Sequence, residues 1–453
     1  MGKASMTTDL TQGSVGKSLL RFSVPFILAN LLQTVYGLVD ASIVGHFVGS
    51  DGLSAVSTCG ELIMVYTFLA VGFGSAGQTM IGQLVGAGNK KRVNDTIGTL
   101  FTCLGGLGVL CMLVIFCTWR LQLRLINLPE EALSGGRDYL LVCGAGMVFI
   151  FGYNLVSAIL RGMGDSRHPL LFVAIAAGTN VVLDLLFVPV LHMGVFGAAL
   201  ATVIGQALSF VTALVFLYRR REQFGFDFRP ASFRPQTALI KTAFKLGIPM
   251  SAQGMLVCIS MLFVCSQINA FGVAASAANG IQMKLCSLVR VISSSMQNAS
   301  SAMIAQCIGA QKRDRVQSVI RWSFVYALIG CLTVAVCLLL WPRQIFMFFN
   351  NEEAVLAFAA VYAWYGAGDY AGYALRVPFN ALATGTGAAT LGMTSGLVDG
   401  VIARIGFSIL FGNVLGMGVA GYWLGNMVAG YTSVLILAPY YFTGAWKRKK
   451  LEL

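Results

Sequence analysis

Apolar runs of about 20 residues recur from one end of the chain to the other, separated by short polar breaks. Read as bilayer-crossing helices, the runs predict twelve spans. The first six cover roughly 17–45, 53–85, 93–120, 132–161, 168–191 and 194–218. The second six cover roughly 238–270, 276–308, 315–341, 353–384, 388–411 and 416–445. The segment before Leu19 is polar and lacks a signal peptide's apolar stretch, and the run that starts there is too long for one, so it reads as a retained helix.

Composition agrees. Of 453 residues, 57% are hydrophobic and only 11% are charged, and mean hydropathy is +0.77. Such a chain cannot cover itself with polar surface, so lipid is its solvent and no large soluble domain fits. Its 52 glycines, with many Ala and Ser, let helix backbones approach closely in lipid. The eleven cysteines are scattered, with no CxxC pair and no metal-like spacing.

The net charge of +13 would suggest nucleic acid on a soluble protein. Here the basic residues cluster in alternate connections: Lys90-Lys91-Arg92, Arg161 with Arg167, Arg219-Arg220-Arg221, Lys312-Arg313 with Arg315, and Lys447-Arg448-Lys449-Lys450. The opposite connections, such as 46–52, 188–193, 271–275 and 412–417, carry almost none. The positive-inside rule puts the basic side, and both termini, in the cytoplasm, which requires an even number of spans. The expected location is the cell inner (plasma) membrane, with no nucleic-acid partner.

The chain also repeats itself. Ile81-Gly-Gln-Leu-Val-Gly-Ala-Gly-Asn-Lys-Lys-Arg-Val93 matches Ile304-Ala-Gln-Cys-Ile-Gly-Ala-Gln-Lys-Arg-Asp-Arg-Val316. Ser23-Val-Pro25 matches Gly247-Ile-Pro249, Arg161-Gly-Met-Gly164 matches Thr384-Gly-Thr-Gly387, and Met193-Gly-Val-Phe-Gly197 matches Met417-Gly-Val-Ala-Gly421. All share an offset of about 223–224 residues. The expected fold is therefore an all-α polytopic membrane protein. Its twelve transmembrane helices form two six-helix lobes related by a pseudo-two-fold axis along the membrane normal. By sequence order the parts are a cytoplasmic segment 1–16, an N-lobe 17–221, a linker 222–237, a C-lobe 238–445 and a basic tail 446–453.

Charges inside spans are costly, about 2.5–3.5 kcal/mol each on insertion scales, and mark candidate function. The N-half holds Asp40 in span 1 and Asp184 in span 5. Asp184 lies one turn beyond Asn180, and Asp40 ends a polar stripe of Gln33 and Tyr36. The C-half holds Asp369 and Arg376 in span 10, Asp399 and Arg404 in span 11, and Lys284 and Arg290 in span 8. The N-half acids have no basic residue in their own spans, whereas the C-half acids do. The C-half is thus expected to form its own polar network from Asp369, Arg376, Asp399 and Arg404. The N-half acids are left for protons or a cation, and Asn180 and Thr202 oxygens could complete a sodium site. Either acid could instead accept a helix–helix hydrogen bond.

Pro25 with the Gln33-Tyr36-Asp40 stripe, Gly-Gln-Leu-Val-Gly-Ala-Gly at 82–88, Leu160-Arg-Gly-Met-Gly-Asp165, and Asn180 with Asp184 resemble the multidrug and toxic compound extrusion (MATE) transporters. The likeness covers nearly the whole chain, and the bacterial and archaeal branch with acids in spans 1 and 5 is the most similar. The resemblance implies export of cationic, amphipathic compounds in exchange for protons or sodium by two alternating lobes. It places Asp40, Asn180, Asp184 and Thr202 in the cation-coupling cluster. It puts Gln33, Tyr36 and Asn154 along the substrate cavity and makes Pro25 a point of helix bending. It implies no cofactor, no resident metal and a monomer. Another branch has an acid in span 7, where this chain has Gln253, Met255 and Cys258 but no acid.

Two other readings stay open. A lipid-linked oligosaccharide flippase shares the architecture, and Lys284, Arg290, Arg376 and Arg404 would suit its anionic cargo. A membrane enzyme would need a nucleophile or metal constellation, but His46, His168 and His192 stand singly and no HExxH motif occurs.

Overall fold

The computed structural model describes residues 9–126 and 128–449, and among these no strand forms. The ends of the predicted segments 1–16 and 446–453, Lys450 included, lie outside the described residues. In the first half the helices are α1 (Val15–Phe47), α2 (Ser50–Gly86), α3 (Lys90–Leu125), α4 (Leu133–Ala145), α5 (Met147–Gly162), α6 (Arg167–Phe187), α7 (Gly194–Arg219) and the short α8 (Arg221–Phe224). The second half has α9 (Thr237–Asn269), α10 (Val273–Gly309), α11 (Arg313–Leu340), the short α12 (Pro342–Met347), α13 (Glu353–Thr386), α14 (Ala389–Gly396), α15 (Ile405–Ile409) and α16 (Gly418–Phe442).

Every predicted span has its helix. Predicted span 4 is the pair α4 and α5, bent by 46° at Gly146. Predicted span 11 runs from α14 through α15 to Val414, with two wide-turn π segments at Leu397–Arg404 and Leu410–Val414. Among the described residues, eight helices are long and apolar enough to cross a membrane on their own, and nine if the bent pair counts as one. The other long helices are α10, α13 and α16. These carry Lys284 and Arg290, Asp369 and Arg376, and Asn426. α13 packs against α10, α11 and α16. Protein rather than lipid surrounds much of these helices, so they need less apolar surface.

The backbone repeats in register. Left-handed residues occur at Gly49 and Gly272, at Gly88 and Gln311, at Gly164 and Gly387, and at Gly194 and Gly418. Each pair is separated by the offset read from the sequence. A side chain on Gly162 would meet the Gln78 carbonyl oxygen at 2.9 Å, and one on Gly385 would meet the Ser301 carbonyl oxygen at 2.7 Å. These are the same helix crossing built twice, and both need a residue without a Cβ.

Contacts group the chain into two compact units. One contains Leu28–Ser251, and the other contains Leu10–Ile27 with the chain from Ala252 onward. The division by span order, 17–221 and 238–445, places those boundaries elsewhere. Each boundary falls two residues beyond a proline inside a long helix, Pro25 in α1 and Pro249 in α9. Proline removes one i→i−4 hydrogen bond and crowds the preceding turn, so both are weak points in their helices.

Each unit also clamps the segment that precedes one of these helices. In one, Ser232 accepts from Asn94 at 3.4 Å, and the Phe233 carbonyl accepts from Thr102 at 2.7 Å. In the other, Arg315 donates to the carbonyls of Leu10, Gln12 and Gly13 at 3.0, 2.6 and 2.7 Å. Leu10 is buried.

Candidate functional site

In the first unit, α6 presents Asn180 and Asp184 on one face, both buried. α7 is drawn tightly against α6. A Cβ on Gly205 would meet the Ala176 carbonyl at 2.9 Å, and the Ser209 hydroxyl donates to the Phe172 carbonyl at 2.9 Å. That approach lets Asn180 Nδ2 donate to Thr202 Oγ1 at 3.3 Å, while Thr202 Oγ1 donates to the Ala198 carbonyl at 3.1 Å.

α1 brings Asp40 to the same place. Its carboxyl lies beside the Asp184 carboxyl. Tyr36, one turn earlier, is half-buried beside Asp40 and Tyr153. Asn154 is half-buried on α5, and its side chain donates to the Ile150 carbonyl at 2.8 Å. Gln33 lies exposed, two turns before Asp40.

The chemistry of the cluster is one-sided. Asp40 Oδ1, both Asp184 oxygens and Asn180 Oδ1 are buried with no hydrogen-bond donor. Among the described residues, no Lys, Arg or His forms an ion pair with either acid. Carboxylates only accept, so two of them facing each other have no hydrogen bond unless one is protonated. Buried acceptors are nearly always satisfied, and an uncompensated buried charge is strongly destabilising. The arrangement therefore fits a proton or an oxygen-coordinated cation.

The second unit solves the same problem internally. Asp399 accepts from Arg404 at 2.8 Å, Arg376 at 3.3 Å and Ser433 at 3.0 Å. Asp399 and Arg404 are five residues apart within the π segment, whose wider turn puts i and i+5 on one face. Arg404 also donates to Asn426 Oδ1, and Asn426 Nδ2 donates to Asp369 Oδ2 at 3.2 Å. The Arg376 guanidinium lies 3.7 Å over the Tyr373 ring. Arg376 thus forms its ion pair with Asp399 across helices, not with Asp369 on its own helix.

The repeat offset connects the two sites. Asn180 corresponds to Arg404, Thr202 to Asn426, Asp184 to Ser408 and Asp40 to Val264. Asn180 bonds to Thr202, and Arg404 bonds to Asn426, so one inter-helix contact is made twice with different chemistry. Sequence reasoning did not single out Asn426 or Ser433. The offset of 224 residues applied to Thr202 leads directly to Asn426, and applied to Ser209 it leads to Ser433.

A model of the MatE family matches residues 25–186 and again residues 249–410, one copy per half. The chain belongs to the MatE family. It is a multi-pass membrane transporter and not an enzyme. It is 30% identical over 457 residues to the probable multidrug resistance protein YoeA of Bacillus subtilis (strain 168), across 98% of this chain and 97% of that one. Identity to the probable multidrug resistance protein YpnP of the same organism is 29% over 443 residues, or 98% of both chains. Among solved structures, a MATE transporter in complex with MaL6 superposes with a TM-score of 0.91 at 22% identity, over 99% of this chain and all of that one. A MOP superfamily transporter from Pyrococcus furiosus gives 0.90 at 21%, with the same coverage. These structures share the twelve-helix, two-lobe fold.

Proposed function

We propose that this transporter is a secondary active multidrug exporter. It expels cationic, amphipathic compounds in exchange for protons or sodium, by alternating access of its two lobes from a plasma membrane with both termini cytoplasmic. The observation that carries the reading is the cluster of donor-less oxygens at Asp40, Asp184 and Asn180. An ion that neutralises it in one state and leaves it in another supplies the free-energy difference that drives the change. The relatives named as multidrug resistance proteins support the cargo. Tyr36, Asn154 and Gln33 then contribute to the cargo path, and Pro25 absorbs bending of α1.

Of the four cations that would suit a flippase's anionic cargo, Arg376 and Arg404 are committed to Asp399, while Lys284 and Arg290 join no ion pair among the described residues, so the flippase stays the second reading. The test is uptake of a fluorescent cation into inverted vesicles, driven separately by a proton and by a sodium gradient. Asp40→Asn and Asp184→Asn are expected to reduce gradient-driven uptake to background. Normal uptake by both variants would refute the assignment, and movement of lipid-linked sugars in place of the cation would favour the flippase.

A further inference from the structure

The second unit contains a pocket of about 410 Å3, counted to its open mouth and lined from α9, α10 and α16. Arg290, near the middle of α10, stands at its edge. Arg290 Nη1 reaches the Met261 sulfur at 3.5 Å, a weak acceptor, and among the described residues it joins no ion pair. An arginine at mid-helix depth without a counter-charge is a functional candidate. The nearby acids are already occupied. Asp399 is matched to Arg376 and Arg404, and Asp369 takes the Asn426 amide and, at 3.6 Å, the Cys286 thiol. No acid is among the lining residues.

The rest of the lining is part polar and part apolar, and Gln282, whose Nε2 donates to the Cys286 sulfur at 3.1 Å, keeps its oxygen as an acceptor. Asn279 gives its oxygen to the Trp423 indole N–H at 3.4 Å, so the end of its side chain that remains is a donor. Met261, Met283, Val264 and the Trp423 ring form the apolar part. The pocket also has a counterpart. Val264 and Asn426 occupy the repeat positions of Asp40 and Thr202. The place that gathers acids in the first unit thus carries a free guanidinium nearby and no acid in the second.

We propose that this pocket is an oxyanion subsite. It takes the carboxylate of an aromatic amphiphile on Arg290, with the apolar body against Met261, Met283 and Trp423. A guanidinium is the preferred partner of a carboxylate, and thioethers and an indole accept varied flat bodies. The transporter would then hold zwitterionic cargo by its acid group. Only the transport of that cargo rests on the efflux reading; the binding does not.

Two matched dyes test it. Rhodamine 110 carries a free carboxylate, and rhodamine 123 is its methyl ester. Binding of each to the purified full-length protein in detergent is measured by fluorescence anisotropy. The wild type is expected to favour the acid by about tenfold, the value of one charge-assisted hydrogen bond. Arg290→Gln should bring the acid-to-ester ratio close to one, and Arg290→Lys should retain part of it. Continued ester binding shows that the variant is folded. No preference in the wild type, or an equal loss for both dyes in Arg290→Gln, overturns the proposal. So does loss of acid binding when phosphatidylglycerol is added, which would assign the site to a lipid headgroup. Ester export with no acid preference refutes this inference alone. Arg290-dependent acid binding without export of either dye refutes the efflux reading alone.

Discussion

Asn180 and Arg404 occupy the same place in two copies of one fold, and each bonds to the matching residue of the next span, Thr202 or Asn426. Around Arg404 the acid has its cations, with Asp399 held by two guanidiniums and a hydroxyl, and Arg404 Nε is left without an acceptor. Around Asn180 there are two acids and no cation, and four acceptor oxygens lack donors. One half builds its cation into the chain, and the other leaves the position to be filled. A buried charge with its counter-charge in place is held by the chain, and an unpaired buried one is costly. The difference teaches that duplication supplied two equivalent sites, of which one is now structural.

That comparison can be broken most severely at Arg404. Arg404→Leu leaves Asp399 half-compensated in a buried site and is expected to cost about 3–5 kcal/mol. Asn180→Leu removes one neutral hydrogen bond, for about 1 kcal/mol. Thermal unfolding of the purified protein should therefore separate the two widely, and equal shifts would mean that Arg404 is no more structural than Asn180.

The repeated helix crossing should behave in the opposite way. Gly162→Val and Gly385→Val each place a side chain against a carbonyl at under 3 Å and should each cost about 1–3 kcal/mol. Similar losses would show that the scaffold remained equivalent while its polar residues diverged. A loss confined to one half would break the symmetry argument.

Much of this was legible in the sequence. The apolar runs predicted the twelve helices and the offset of about 223–224 residues predicted their repetition, which the left-handed residues of the backbone follow in pairs. Asp40 and Asp184 stood out because acids are rare at membrane depth, and Asn180 because it lies one turn before Asp184. The pairing of Arg376 with Asp399 did not, since spacing along one helix does not encode which neighbour crosses it. The Asp399–Arg404 bond depends on a π segment, and regular α-helical spacing would have put these residues on different faces. The unit boundaries beside Pro25 and Pro249 also arise from tertiary contacts that hydropathy does not record.

The smallest effects are expected at the clamped segments. Arg315→Ala removes bonds to three carbonyls and should lower the melting temperature measurably. Asp227 lies exposed in the linker. The Ser232 hydroxyl at 2.6 Å, with help from the Arg229 N–H, holds its carboxyl below the ordinary value of 3.8. A depressed carboxyl stabilises fully above its unfolded value and loses that contribution as pH falls through its folded one. Asp227→Asn should therefore leave a barely detectable shift at neutral pH, and none in strong acid. A large shift at neutral pH would mean that the linker clamp does more than the Arg315 clamp.

The central claim is that the first unit lacks a cation which the second supplies from its own chain. Asn180→Arg tests it most directly, by placing in the first unit the residue that the repeat has in the second. Gradient-driven uptake of a fluorescent cation into inverted vesicles is measured alongside the melting temperature of the purified variant. The account predicts that uptake stops while the melting temperature holds or rises, because the guanidinium satisfies Asp40 and Asp184 permanently. Uptake at the wild-type level with Arg in place would contradict it.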